Sequence, residues 1–338
     1  PVSQAGDPRA SSAAENRILI PRREVANTVA HRRRRGTLSA LEDLAAAVAA
    51  WPARAVEFFR LLCWTQNLNH QHSDGRRART ASLRDVNDLD KIGTPFDPFA
   101  RTVDVRTISS RRSQGRYNIP SVGLWIWRLK SYPVTLAPAY CLDAGKNSYT
   151  FSVLGNDAPI FTFPLPEPSP THIADELNVP TPIRRRALEA ARQDYYGSSF
   201  LIYADWAGHS PREPLPAESI LPADLSDWHY APPEGFVAVD PQLGRIQFPV
   251  NQLPRKHVRV NYRYGFPSDI GGGEYSRPLS RLDGSEVYMV GEGDHPYRKI
   301  SDALDVWMLK QPKSAVIEIA DSRAYVEPLQ IVLAEGQS

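Results

Sequence analysis

The pattern between residues 297 and 333 restricts this chain more than any other feature. Residues 301–309 place Ala303, Leu304, Val306 and Trp307 at helical spacing. The short apolar run Ala315, Val316, Ile317 and Ile319 follows, then a turn at Asp321 and Ser322, Tyr325, and a second apolar run over 329–333. Each piece is too small to bury its own apolar face. A helix followed by short strands and turns of this kind is the opening of a stacked solenoid, in which each coil covers the next. The expectation is a cap and first coil over residues 285–338, with the coils running out at Ser338.

Upstream, the decisive composition is 30 prolines against 20 glycines. Proline fixes φ and removes a donor, so ordered irregular connections are expected. The first section, residues 1–75, reads as helical. A helix over 22–35 stops at Gly36, and Thr37 is placed to cap the next. Leu38, Leu41, Leu44, Ala45 and Val48 then recur at helical spacing. Trp51-Pro52 breaks this helix, and a third is expected through Val56, Phe59, Leu62 and Cys63 to about residue 67. Short connections make such helices antiparallel neighbours in a small bundle.

Residues 76–197 form a mixed, extended section. Strands are expected over 101–108 and 122–129, a proline-rich connection over 158–182, and a helix capped by Thr181 and Pro182 that runs to Gln193. Residues 198–275 read as β. Residues 200–203 are a short strand. Residues 236–240 and 245–248 make a hairpin around Pro241-Gln242-Leu243-Gly244. The alternating run 258–264 adds a third strand, and Gly271-Gly272-Gly273 is a joint.

The net charge of +2 gives no global attraction to nucleic acid or anionic membrane. Cys63 and Cys141 are the only cysteines. Two so far apart make no disulfide framework, which suits a reducing compartment. No apolar run is long enough to cross a bilayer. The N-terminal fifteen residues lack a signal-peptide core. The first residue is proline and the last apolar run sits close to the end, so both ends read as cut points.

A search for catalytic patterns finds no nucleophile elbow, phosphate loop, His-Glu-x-x-His or Cys-x-x-Cys. His70 and His72 could share a metal if extended, but no third ligand is near and a polar loop is the favoured reading. Arg32, Arg33, Arg34 and Arg35 follow His31. A basic face interleaved with aromatics would suggest nucleic acid, and none is present. Cations at a helix end, or arginines pairing with a partner subunit, fit better. Trp125 and Trp127 share a strand face, where packing or an interface is favoured over stacking on sugars. Asp302, Asp305, Glu318 and Asp321 read as solvated carboxylates, because one coil forms no groove.

Two resemblances add to this. The helix-then-strands order at the C-terminus resembles the N-terminal cap and first coil of right-handed parallel β-helix proteins of the pectate-lyase-like kind. The stretch His31-Arg32-Arg33-Arg34-Arg35-Gly36-Thr37, with Leu41-Glu42-Asp43-Leu44-Ala45 and Trp51-Pro52-Ala53-Arg54-Ala55-Val56-Glu57-Phe58-Phe59, resembles baseplate and tail proteins of contractile phages and injection systems. So do the stretch 115–123, the stretch 235–245 and the stretch 262–273.

Together these imply an α+β multi-domain chain: an N-terminal helical bundle, central mixed and β modules, and the start of a truncated right-handed parallel β-helix. They imply a structural subunit of a phage-tail-like particle, not an enzyme, with no cofactor and no metal. Its partners would be other baseplate or tail subunits, with self-association inside the particle, and neither nucleic acid nor membrane insertion. It would be cytoplasmic during assembly and then part of the particle. Candidate interface residues are Arg32, Arg33, Arg34, Arg35, Trp51, Phe58, Trp125 and Trp127. The alternative is a carbohydrate-binding or polysaccharide-degrading β-helix protein whose active coils lie beyond the C-terminal end.

Overall fold

A computed structural model describes residues 22–63, 69, 85–104, 115–142, 145, 147–270, 272–275, 284–292, 294–321 and 323–337. His70, His72, Gly271 and Ser322 lie outside the described residues. The chain divides into two compact units, Pro1–Arg128 with Pro164–Thr181, and Leu129–Phe163 with Pro182–Ser338. The architecture is mixed α and β, with few helices and several sheets, none of them closed among the described residues.

In the first unit, α1 (Arg22–Arg33) and α2 (Leu38–Ala49) flank a turn in which Gly36 has φ +90°. The Thr37 Oγ1 accepts from the Ala40 N–H at 3.3 Å, so the cap read from the sequence is formed. The expected third helix is not. Residues Ala53–Glu57 are a strand, β1, followed by one 3-10 turn at Phe58–Leu61. The physical reason is a distant partner. After the break at Pro52, β1 pairs antiparallel with β2 (Val122–Ile126), and the ladder supplies its main-chain hydrogen bonds. Tertiary pairing overrides the local helical spacing. Among the described residues the N-terminal section is therefore two helices and a two-stranded sheet, not a three-helix bundle. A short helix, α3 (Val86–Leu89), is capped by Asp85, whose Oδ1 accepts from the Asn87 N–H at 3.0 Å. The strand expected over 101–108 reduces to a single bridge from Arg101 to Leu62, with Pro-free residues 102–104 irregular and 105–108 outside the described residues.

The second unit holds β3 (Lys130–Pro138), β4 (Tyr140–Cys141), β5 (Ser148–Thr150), α4 (Arg185–Ala190), α5 (Arg192–Tyr195), β6 (Leu201–Tyr203), β7 (Ile220–Pro222), β8 (Val237–Asp240), β9 (Arg245–Gln247) and β10 (Arg259–Phe266). One sheet has the order β3-β10-β6 and another the order β4-β5-β9-β8-β7. The β8–β9 hairpin is antiparallel as its turn residues predict. Gly244 has φ +67°, and a Cβ there would sit 2.1 Å from the Ala158 carbonyl oxygen, so only glycine fits. The run 258–264 does not extend this hairpin. β9 and β8 are already flanked by β5 and β7, and β10 pairs with β3 and β6 instead.

Thr181 caps no helix. The Ile183 N–H donates to the Ile160 carbonyl at 2.8 Å and Pro182 bridges to Phe161, which holds this stretch extended until α4 begins. The core is aromatic: Phe151 meets Phe200 at 5.8 Å and Tyr262 at 5.7 Å edge-on, and Trp206 meets Phe248 at 5.7 Å.

An ion pair locks α4 to the hairpin. Asp240 has no exposed surface. It accepts from Arg185 Nε at 2.9 Å and Nη2 at 2.7 Å. It also accepts from the main-chain N–H groups of Leu225 at 3.0 Å, Gln242 at 3.1 Å and Leu243 at 3.3 Å. A bidentate guanidinium and three amides satisfy a carboxylate that burial alone would make very costly.

Towards the C-terminus, β11 (Glu286–Val290) and β12 (Ala315–Ile319) pair in parallel, and α6 (Ile300–Lys310) crosses between them. Tyr288, Val290, Ala303, Leu304 and Trp307 form their buried core. Lys299 offers α6 no side-chain cap. The Glu327 carboxylate supplies one from downstream, accepting from the Ile300 N–H at 3.2 Å and the Ser301 N–H at 2.9 Å. The strand expected over 329–333 is absent. That stretch has no strand neighbour among the described residues, and Ile331, Val332 and Leu333 are all more than half exposed.

Candidate functional site

α2 is turned the other way round from its amphipathic pattern. It buries Ser39, Ala40, Glu42 and Ala47, while Leu41, Leu44 and Val48 are 39%, 39% and 51% exposed. Glu42 sets this rotation. Its Oε1 accepts from the Ala55 N–H at 2.6 Å and its Oε2 from the Ala174 N–H at 3.2 Å. A hydrogen bond to a charged group contributes about 1.5–3 kcal/mol, comparable with fully burying one leucine. The leucines are already half covered, so turning them inward would return less than the two bonds lost. α1 adds exposed Val25 and Val29 to the same unit.

The arginine run splits. Arg34 is half-buried, donating to the Pro170 carbonyl at 2.7 Å and pairing with Asp43. It lines a cleft of about 600 Å³ together with His31, Ala47 and Glu167. Arg32, Arg33 and Arg35 are exposed and form no ion pair among the described residues. They leave a cationic corner at the end of α1.

The aromatic candidates are less available. Phe58 is 7% exposed and meets Tyr117 edge-on at 5.3 Å, so it belongs to the core and not to an outer face. Its ring also fills the space beside Gly123. Trp51 lies under Arg128 at 5.3 Å, Trp125 under Arg116 at 5.5 Å, and Trp127 packs on Phe96 at 5.9 Å. All three are half-buried. Trp127 lies one residue beyond β2, and its N–H donates to the Pro52 carbonyl at 2.9 Å.

The strand expected over 122–129 is formed as β2, and what the sequence reading left out is its exposed apolar face. Val122, Leu124 and Ile126 are 49%, 44% and 44% exposed and alternate along it. They are the cross-strand partners of Glu57, Ala55 and Ala53 and share their face.

Asp302 and Asp305 are exposed on α6. Asp321 pairs with Arg323 at 2.7 Å and accepts from the Tyr325 hydroxyl at 2.9 Å. Among the described residues no three His, Cys, Asp or Glu side chains converge on a metal position. No helix among them is long and apolar enough to cross a membrane. Cys63 and Cys141 are both free thiols.

Electrostatics distinguish the two units. Burial pushes the Glu42 carboxyl above its ordinary 4.5, against the opposing pull of the Ala55 and Ala174 N–H groups. Burial also raises Glu167. These folded carboxyls hold protons more tightly than the unfolded chain does. Their contribution to stability is full below pH 4.5 and is lost as pH rises through their raised values. In the second unit the Ser301 N–H holds Glu327 low, and the Tyr288 hydroxyl and Lys310 hold Glu286 low. Their contribution is present above pH 4.5 and lost as pH falls through the lowered values. Amide exchange, corrected for intrinsic rates, is expected to show α2 and β1 losing protection from pH 4.5 to 7 relative to β11, α6 and β12. Equal changes in both sets would contradict this assignment.

Comparison with protein-family profiles, curated proteins and solved structures found no match to this chain.

Proposed function

We propose that this protein is a structural subunit of a phage-tail-like contractile particle, built into its baseplate or tail through protein–protein interfaces. The observation that carries this reading is the outward leucine side of α2. Leu41, Leu44 and Val48 are exposed on a helix whose polar Glu42 is buried. An exposed apolar stripe, with exposed arginines that form no ion pair among the described residues in the same unit, has the composition of an interface core and its edge. The sequence resemblance over residues 31–59 points to the same class. In this reading β11, α6 and β12 form the base of a parallel stack, and the chain passes from the cytoplasm into the particle on assembly.

The test is fractionation of particles from the source cells. An epitope-tagged chain is expected to sediment with sheathed particles on a density gradient and to be labelled by immunogold at one end of them. A tag that remains wholly in the light fractions would overturn the proposal.

A further inference from the structure

We infer that β2 is a pairing edge for a second copy of this chain, joined antiparallel about a two-fold axis at Leu124. The Phe58 N–H donates to the Ser121 carbonyl at 3.1 Å and the Trp127 N–H to the Pro52 carbonyl at 2.9 Å. In an antiparallel ladder these bonding positions alternate. Ser121, Gly123, Trp125 and Trp127 therefore face β1, and the N–H and C=O groups of Val122, Leu124 and Ile126 face away from it.

The two edges of this small sheet are treated differently. At the outer edge of β1 the Ala55 N–H is taken by the buried Glu42 carboxylate, which blocks strand addition there. At the outer edge of β2 no such group is present among the described residues, and β2 has no strand neighbour other than β1. The edge is apolar on one face and carries no proline, charge or bulge within Val122–Ile126.

The sequence of β2 is complementary to itself when reversed. Antiparallel pairing about Leu124 sets Leu124 against its own copy and Val122 against Ile126 on either side. These are favourable β-branched and aliphatic cross-strand pairs on a single face. The three outward-facing positions exchange about six main-chain hydrogen bonds, two per pair. A strand of different sequence would satisfy the backbone, but self-pairing also satisfies every side chain on the exposed face. Three half-exposed side chains offer far less apolar area than the roughly 800 Å² per partner of a standard stable interface. The dimer is therefore a weak one, suited to reinforcement by neighbours in an assembly.

The inference stands apart from the particle reading, because it concerns the purified chain alone. Sedimentation equilibrium from about 1 to 200 µM is expected to show a reversible monomer–dimer equilibrium. Leu124→Lys places like charges at the two-fold axis and is expected to weaken the dimer at least tenfold while leaving the thermal midpoint unchanged. The register is tested by oxidation in a Cys63→Ser, Cys141→Ser background. Leu124→Cys brings two Cα atoms within about 5.5 Å, inside the range a disulfide spans, and is expected to cross-link. Val122→Cys lies opposite Ile126 of the other copy and is expected not to. A monomer throughout the concentration range, a dimer indifferent to Leu124→Lys, or equal cross-linking of both cysteine variants would overturn the inference.

Discussion

Replacing Asp240 with alanine is expected to lower the stability of the second unit by about 3–5 kcal/mol, the cost of leaving one member of a buried ion pair without its partner. Total domain stability is about 5–15 kcal/mol, so the variant should be largely unfolded at moderate urea. Arg185 would keep its contact with Asp224 at 3.1 Å. The amides of Leu225, Gln242 and Leu243 would lose their shared acceptor, and the buried Leu225 amide adds its own desolvation penalty. Arg185→Ala should be milder, because Asp240 would still accept those three amides. A double variant, Arg185→Met with Asp240→Leu, should recover only part of the loss, since it removes both charges but still leaves the amides unpaired. Urea unfolding followed by circular dichroism gives the order. Equal losses for Arg185→Ala and Asp240→Ala would show that the amide contacts contribute nothing.

The second large effect concerns α2. A Leu41→Lys, Leu44→Lys double variant is expected to leave the fold intact, because substitutions at exposed positions usually change stability by about 0.5 kcal/mol or less. Incorporation into sheathed particles should fall roughly thirtyfold or more, the equivalent of losing about 2 kcal/mol at an interface hot spot. A Glu42→Ala variant provides the contrast. It should destabilise the first unit by removing the acceptor for Ala55 and Ala174, whatever happens to assembly. Normal incorporation of the double lysine variant would remove α2 from the interface, and a fall in its melting temperature comparable to that of Glu42→Ala would show that the leucines serve the core.

Local signals in the chain were good guides wherever the partner was close. The Thr37 cap, the turn between Asp240 and Arg245, α6, and the strand Ala315–Ile319 all follow from residues within a few positions of each other. The thirty prolines likewise predicted the irregular, ordered connections that thread the second unit. The failures share one cause. The stretch Ala53–Glu57 has a helix-compatible spacing and becomes a strand because β2 lies far along the chain. Residues 329–333 alternate like a strand but form none, because no strand among the described residues meets them. Phe58 reads as an aromatic helix end and is instead core, because Tyr117 and Gly123 close over it.

The α2 helix separates the two kinds of information most clearly. Its existence, its start at Thr37 and its apolar stripe were determined by the sequence alone, since capping and periodicity depend on neighbours within one or two turns. Which side of it faces inward was decided only by tertiary structure. Hydrophobic spacing is indifferent to a single carboxylate, whereas the fold brings two otherwise unpaired amides, Ala55 and Ala174, to the one side chain that can accept from both. A buried amide without an acceptor is costly and a half-exposed leucine is not. That asymmetry turned the leucines outward and made an expected core face into a candidate surface for partners.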